Sequence, residues 1–258
     1  MKILGSDFDG TLSHGGFDKE KRNAIHEWRQ RGNRFGIVSG RGAWCYPFFF
    51  EKCPGLELDF FVACNGAIVL DENRRVISET QCTEVDARQF AADLLEWGAH
   101  RAHINGVTNG ERVYLCAVRS MADVPSKKAD PAEPQLIGDL PSADGFFQVS
   151  CVTDDDAAAE RMVERIREAY GKHLNPLQNG KHIDVVPAGV NKATGLYRVM
   201  EHFSASLENV IAVGDNVNDT DMIREFRSYA MENGVPSIKS LANAITPSVT
   251  DLLLLEME

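Results

Sequence analysis

Within its first dozen residues the chain carries two aspartates one residue apart, Asp7 and Asp9, at the end of the apolar run Ile3-Leu4-Gly5-Ser6. Alternation along an extended backbone would send both carboxylates to the same face. Two like charges held that close repel unless a cation lies between them or one carries a proton. The first arrangement suits a divalent, oxygen-seeking ion such as Mg²⁺. The second suits proton transfer. Gly10 lets the backbone turn sharply, and Thr11 places a hydroxyl at the bend. An Asp-x-Asp-Gly turn alone is explained equally well by the preference of Asp and Gly for turns. Three further polar clusters shift the balance, because each closes an apolar run in the same way. They are Val38-Ser39-Gly40-Arg41, Lys192 within Val190-Asn191-Lys192-Ala193-Thr194-Gly195, and Val213-Gly214-Asp215-Asn216-Val217-Asn218-Asp219.

The elements that would hold these clusters alternate between strand and helix. Phe17 to Arg31 has helical spacing, with Asp18 as its cap and Gly32 as its stop. Strands follow at Phe35–Val38 and Leu58–Ala63, separated by an aromatic-rich stretch, Ala43–Glu51, that reads as a short packed helix. A hairpin is expected over Ile68–Leu70 and Arg75–Ile77. The character changes near Cys82, where the order becomes helix-strand-strand (Val85–Trp97, Ala102–Ile104, Arg112–Val118). A proline-rich, irregular segment is expected from Met121 to Asp144. After a strand at Phe146–Val152 the helix-strand-strand order returns between Ala157 and Val186. From Pro187 the first style resumes, with Lys192 opening a helix, a buried strand at Asn209–Val213, and helices near Asn218–Phe226, Ser237–Ala242 and Val249–Leu255. Apolar strands alternating with helices imply an α/β fold with a Rossmann-like parallel sheet core covered on both faces. Ligands gather at the carboxyl ends of such strands, where Asp7, Ser39, Asn65 and Asp215 all fall.

Acid pair, hydroxyl, lysine, acid pair: in this order the clusters resemble the signature of the haloacid dehalogenase superfamily of phosphotransferases. Asp7, Asp9 and Thr11 fill its first motif, Ser39 its second, Lys192 its third, and Gly214 to Asp219 its fourth. The resemblance implies a catalytic core over 1–81 and 187–258 and an inserted α+β cap over 82–186 that selects the substrate and closes to exclude bulk water. The position of the insert, the Cys64-Asn65-Gly66-Ala67 turn and the late Val235-Pro236-Ser237-Ile238-Lys239 stretch resemble the Cof-like branch, whose members are mostly small-molecule and sugar phosphatases. It further implies a Mg²⁺-dependent phosphatase acting on a small phosphorylated metabolite. Asp7 would be the nucleophile that forms an aspartyl-phosphate, and Asp9 the acid for the leaving alcohol and then the base for water. Mg²⁺ would be held by the Asp7 side chain, the Asp9 backbone carbonyl and Asp215, with Asn218 and Asp219 near it. Lys192 would offset charge, and Thr11, Ser39, Gly40, Asn65 and Asn218 form the candidate substrate-binding set. Asn65 is equally a turn former, and Arg41 reads as a surface or sheet-edge charge.

Two related enzymatic and binding roles compete. A phosphomutase of the phosphomannomutase type shares the Asp-x-Asp-Gly-Thr start, but its later motif carries Gly-Gly-Asn-Asp where this chain has Asn216-Val217-Asn218-Asp219. A non-catalytic phosphosugar sensor would be marked by loss of Asp7 or Asp9, and both are present. A response-regulator receiver would lack the insert and the acids after the lysine.

Composition limits the partners. The 258 residues include 27 Lys plus Arg and 38 Asp plus Glu, a net charge of −11. So acidic a chain is a poor general partner for nucleic acid or an anionic membrane. No apolar run reaches the about 18 residues of a membrane span. The start leads directly into a strand, and the six cysteines are scattered without a Cys-x-x-Cys pair, which together point to the cytoplasm. The seven histidines show no metal-ligand spacing.

Overall fold

In the computed structural model, which describes residues 1–121 and 132–258, the elements follow the expected alternation. β1 (Ile3–Ser6), β2 (Arg34–Val38) and β3 (Phe60–Ala63) are buried along almost their whole length, as parallel strands covered on both faces must be. Between them lie α1 (Lys19–Gln30), whose cap Asp18 accepts from the backbone N–H of Lys21, and α2 (Tyr46–Lys52). β4 (Ile68–Asp71) and β5 (Val76–Glu79) add an antiparallel hairpin. The chain continues through α3 (Ala87–Glu96), β6 (Arg101–Thr108), β7 (Glu111–Val118), β8 (Pro134–Leu136), β9 (Gly145–Val152), α4 (Asp156–Tyr170), β10 (Leu174–Asn179) and β11 (His182–Pro187). It ends with α5 (Lys192–His202), β12 (Val210–Gly214), α6 (Thr220–Glu225), β13 (Arg227–Met231), α7 (Pro236–Leu241), β14 (Ala244–Thr246) and α8 (Val249–Met257).

Two compact units result, one from Met1–Glu79 with Asn191–Glu258 and one from Thr80–Val190. The first holds a sheet in the order β14-β13-β12-β1-β2-β3-β4-β5, parallel from β14 to β3. Ile3, Val38, Phe60, Val62 and Val210 pack with Ala193, Leu196 and Val199 of α5 and Met222 and Ile223 of α6. α1 and α8 pack against each other elsewhere in this unit, with Trp28, Leu252 and Leu253 fully buried. β1 lies between β2 and β12, so the chain leaves it toward one side and returns on the other. That reversal is where open α/β sheets form their crevice.

The second unit holds a sheet in the order β10-β11-β9-β6-β7-β8. Phe90, Leu94 and Leu95 of α3 and Met162, Val163 and Ile166 of α4 form a core with Ile104, Phe146, Val149 and Val185 of the sheet. Its tail runs past the expected boundary at 186 because local hydrogen bonds keep it there. Ala188 N–H donates to the His173 carbonyl, and the Asn175 amide donates to the carbonyl of Val190. Part of the segment expected to be irregular, Pro134–Leu136, is a strand paired parallel with β7; residues 122–131 lie outside the described residues. β14, short and largely exposed, was also not expected.

Candidate active site

The four clusters meet at the carboxyl ends of β1, β2, β3 and β12. Asp7 follows β1, with its N–H bonded to the Val213 carbonyl of β12 at 3.0 Å. Beyond it the regular strand is lost: Phe8–Leu12 form one wide turn, in which Gly10 takes φ +83°. A side chain at Gly10 would also be impossible sterically, since a Cβ there would lie 2.4 Å from Asp215 Oδ2. The turn corrects the expectation that Asp7 and Asp9 share a face. Alternation applies only within the strand, which ends at Ser6, and the two side chains come to different surroundings. Asp7 is buried, while the side chain of Asp9 is 57% exposed.

Lys192 is the first residue of α5, whose start is fixed by a capping box between Asn191 and Thr194. A cation there is disfavoured by the helix dipole, and its fully buried ammonium is stabilised by two carboxylates instead. Nζ donates to Asp7 Oδ1 at 2.7 Å and to Asp219 Oδ1 at 2.6 Å. These bonds hold the Lys192 pKa well above its ordinary value against the opposing effect of burial. Asp7 is pushed up by burial, opposed by Lys192 and reinforced by Asp219. Burial also raises Asp215, while the Thr11 hydroxyl lowers it.

Asp219 is a support for the loop as much as a charge. Its Oδ2 accepts from the backbone N–H groups of Asp215 and Asn216 at 2.9 and 3.0 Å. A Cβ on Gly214 would strike it at 2.4 Å, so Gly214 is the residue that lets this carboxylate close over the strand end. Thr11 is likewise a support. Its hydroxyl, fully buried, donates to Asp215 Oδ1 at 2.7 Å. The expectation that Thr11 contacts substrate is therefore revised, because its hydroxyl proton is committed to a carboxylate.

Ser39 is buried after β2, and its Oγ accepts from Arg41 N–H at 3.1 Å. Its carbonyl accepts from Asn65 N–H, and the Arg41 carbonyl accepts from Cys64 N–H. The turn after β3 thus braces the turn after β2. Cys64, Asn65 and Gly66 take φ of 50°, 50° and 107° in succession, a left-handed run that strains the two residues bearing a Cβ. Gly66 cannot be replaced cheaply, since a Cβ would lie 2.1 Å from the Asn191 carbonyl at the start of α5. Asn65 itself is fully buried, which favours its reading as a turn former. Gly40 and Asn218 are half-buried on the loops beside Ser39 and Asp219.

Arg41 is the residue whose role the sequence concealed. Its Nε and Nη2 donate to Asp9 Oδ2 and Oδ1, each at 2.8 Å, and its guanidinium lies 4.6 Å from the centre of the Phe48 ring. Burial pushes the neighbouring Cys45 thiol up to about 11, so no thiolate competes for the guanidinium at neutral pH. Asn233 was missed as well, and Val235 was noted only as part of the late stretch, without its contact. The Asn233 amide donates to the Gly10 carbonyl at 2.9 Å, and Val235 N–H donates to the Asp215 carbonyl at 2.9 Å. Lys21, buried, donates to the carbonyls of Leu12, His14 and Gly16 and ties down the loop that follows Thr11. Only the Asn-Gly and Val-Pro turn chemistry near these positions leaves a trace in the sequence.

Asp7, Asp215 and Asp219 present carboxylate oxygens within 4.8 Å of one another. An all-oxygen set of that size fits a hard divalent cation. All six cysteines are buried and none is in a disulfide, and no helix among the described residues is long and apolar enough to cross a membrane.

Residues 4–252 match the profile of the haloacid dehalogenase-like hydrolases. The 5-amino-6-(5-phospho-D-ribitylamino)uracil phosphatase YcsE of Bacillus subtilis is 27% identical, the match covering 95% of this chain and 90% of that protein. A phosphatase of Escherichia coli with the same named substrate, YbjI, is 23% identical over 94% of this chain and 89% of its own length. Among solved structures, the HAD subclass IIB sugar phosphatase BT4131 superposes with a TM-score of 0.81 at 17% identity, covering 100% of this chain and 99% of that one.

Proposed function

The chain belongs to the haloacid dehalogenase-like hydrolases and is a phosphatase of that family; we propose that it uses Mg²⁺ and removes the phosphoryl group of a small sugar or polyol phosphate. The observation that carries this reading is the buried ammonium of Lys192 between Asp7 and Asp219, with Asp215 beside them. Asp7 is the nucleophile: a carboxylate oxygen attacks phosphorus, and the bond to the leaving oxygen breaks. Lys192 offsets the charge that accumulates on Asp7 and the phosphoryl oxygens. Asp9 gives a proton to the leaving oxygen and takes one from the water that later attacks the aspartyl-phosphate.

Asp7 and Asp215 are the side chains that would hold Mg²⁺, which when bound neutralises phosphoryl charge. Asp219 is the weaker candidate, since its oxygens already accept three hydrogen bonds. Thr11 and Asn233 hold the loops of Asp215 and Gly10 in register. Ser39 Oγ, which accepts from Arg41 N–H, retains its own proton for a phosphoryl oxygen. The substrate class rests on the relatives named for a ribityl phosphate and for a sugar phosphate.

Phosphate release from a panel of sugar, polyol, nucleotide and aryl phosphates, with Mg²⁺ or EDTA, tests this directly. Metal-dependent release with a preference for polyhydroxylated substrates is expected. Release that persists in EDTA removes the metal assignment, and a preference for nucleotides removes the substrate class.

A further inference from the structure

The pairing of Arg41 with Asp9 has a geometry that a chance surface contact lacks. Exposed ion pairs are usually loose, yet here three restraints converge on one guanidinium. Its backbone is fixed on both sides, by the bond from Arg41 N–H to Ser39 Oγ and by the one from Cys64 N–H to the Arg41 carbonyl. The guanidinium lies over the Phe48 ring, and its Nε and Nη2 meet Asp9 as a two-pronged fork. A fork of this kind fixes the carboxylate plane as well as its position. Each Asp9 oxygen then has one lone pair occupied and another available. A carboxylate so held has a fixed orientation, and its remaining lone pairs are where a proton can be received.

We infer that Arg41 is a positioning residue for the second half of the reaction, holding Asp9 as the base that activates water against the aspartyl-phosphate. This rests on the proposed role of Asp9. In that step the water oxygen bonds to phosphorus as the bond between phosphorus and the Asp7 oxygen breaks. The bonding pair returns to the Asp7 carboxylate, and the water proton passes to Asp9. The first half is less dependent on the fork. With an aryl phosphate, whose phenolate leaves without a proton, it needs no acid at all.

Rapid mixing with 4-nitrophenyl phosphate and Mg²⁺ separates the halves: the initial burst of phenolate reports phosphorylation of Asp7, and the decay of acid-trapped phosphoenzyme reports hydrolysis. In Arg41→Met the burst rate should stay close to that of the unaltered protein while decay slows about tenfold or more. Arg41→Lys keeps the charge but not the fork, and should slow decay by a smaller factor. Asp9→Asn is the reference. If it leaves decay unchanged, the role of Asp9 as base is wrong, and this inference falls with it. If Asp9→Asn slows decay and Arg41→Met does not, the inference alone fails. Equal slowing of burst and decay in Arg41→Met would also overturn it, because that is what general damage to the site produces. Should Arg41→Met not fold, Arg41→Lys decides: selective slowing of decay supports the positioning role, and unaltered decay rejects it.

Discussion

The floor and the rim of the site each pair a cation with carboxylate, in opposite ways. On the floor, Lys192 is fully buried and bonded to two acids that are themselves buried. On the rim, Arg41 and Asp9 are 35% and 57% exposed, and their partnership is a fork between side chains that water reaches. A buried triad is costly to assemble and costlier to break, because removing one partner strands the others away from water. A pair that water reaches costs far less to open than a buried one, so even a well-oriented fork can re-form within a catalytic cycle. The floor is therefore suited to a charge that must not move, and the rim to one that must give and take a proton.

The sharpest way to break this contrast is Asp7→Asn, which keeps the shape of the floor and removes its nucleophile. Turnover should fall by at least about 10⁴-fold, measured as steady-state phosphate release. Activity near normal would mean that the chemistry lies elsewhere. Lys192→Met should follow, with turnover lower by about 10²–10³-fold and stability lower by about 3–5 kcal/mol at neutral pH. The stability loss should depend on pH in a defined direction. Asp7 is raised in the folded protein by burial, so its contribution is present below its ordinary value of 3.8 and is lost as pH rises through the raised one. Without Lys192 to oppose burial, that raised value climbs further. Denaturant melts should therefore show a smaller deficit at pH 5 than at pH 8.

Thr11→Val removes one bond to Asp215 and little volume. It should raise the Mg²⁺ concentration needed for half-maximal activity by about ten- to a hundredfold, the equivalent of one lost hydrogen bond to a charged group. Unchanged metal dependence would detach Asp215 from the cation. The smallest expected effect separates the regions by solvent alone. Salt at about 0.5 M should shift the melting temperature of Arg41→Met and the unaltered protein toward each other slightly, since it screens the rim. It should leave the deficit of Lys192→Met in place. A floor deficit that disappears with salt would show that water reaches Lys192.

Much of this arrangement was legible before the structure. Continuous apolar runs identified β1, β2, β3 and β12, because strands buried on both faces need apolar residues at every position. Asp18 marked a helix start by side-chain chemistry that is local to the sequence. What stayed hidden depends on distant partners. Arg41 looks like any surface arginine until Asp9 is placed opposite it, and Asn233 like any loop residue until it reaches Gly10. β14 was missed because only Thr246 of its three residues is buried, so no periodic pattern is present. The unequal exposure of Asp7 and Asp9 was missed for a different reason. A period of two is valid for a strand, and no residue type announces that the strand has ended one position earlier.

The topology also orders events in time. β1 pairs with β12, Ile3 beside Val210, and the bond from Thr11 to Asp215 spans 204 residues of chain. The unit from Thr80 to Val190 is continuous, and all its strand partners are on hand once it has been made. As the chain emerges from a ribosome, the unit bearing neither Asp7 nor Lys192 can fold first. Meanwhile β1 and β2 wait with an open sheet edge for the last part of the sequence. Pairings between such distant segments form slowly and leave intermediates prone to association. A protein stopped short of β12 would therefore hold a folded insert beside a sticky, incomplete sheet, and the site would be the last thing in the molecule to exist.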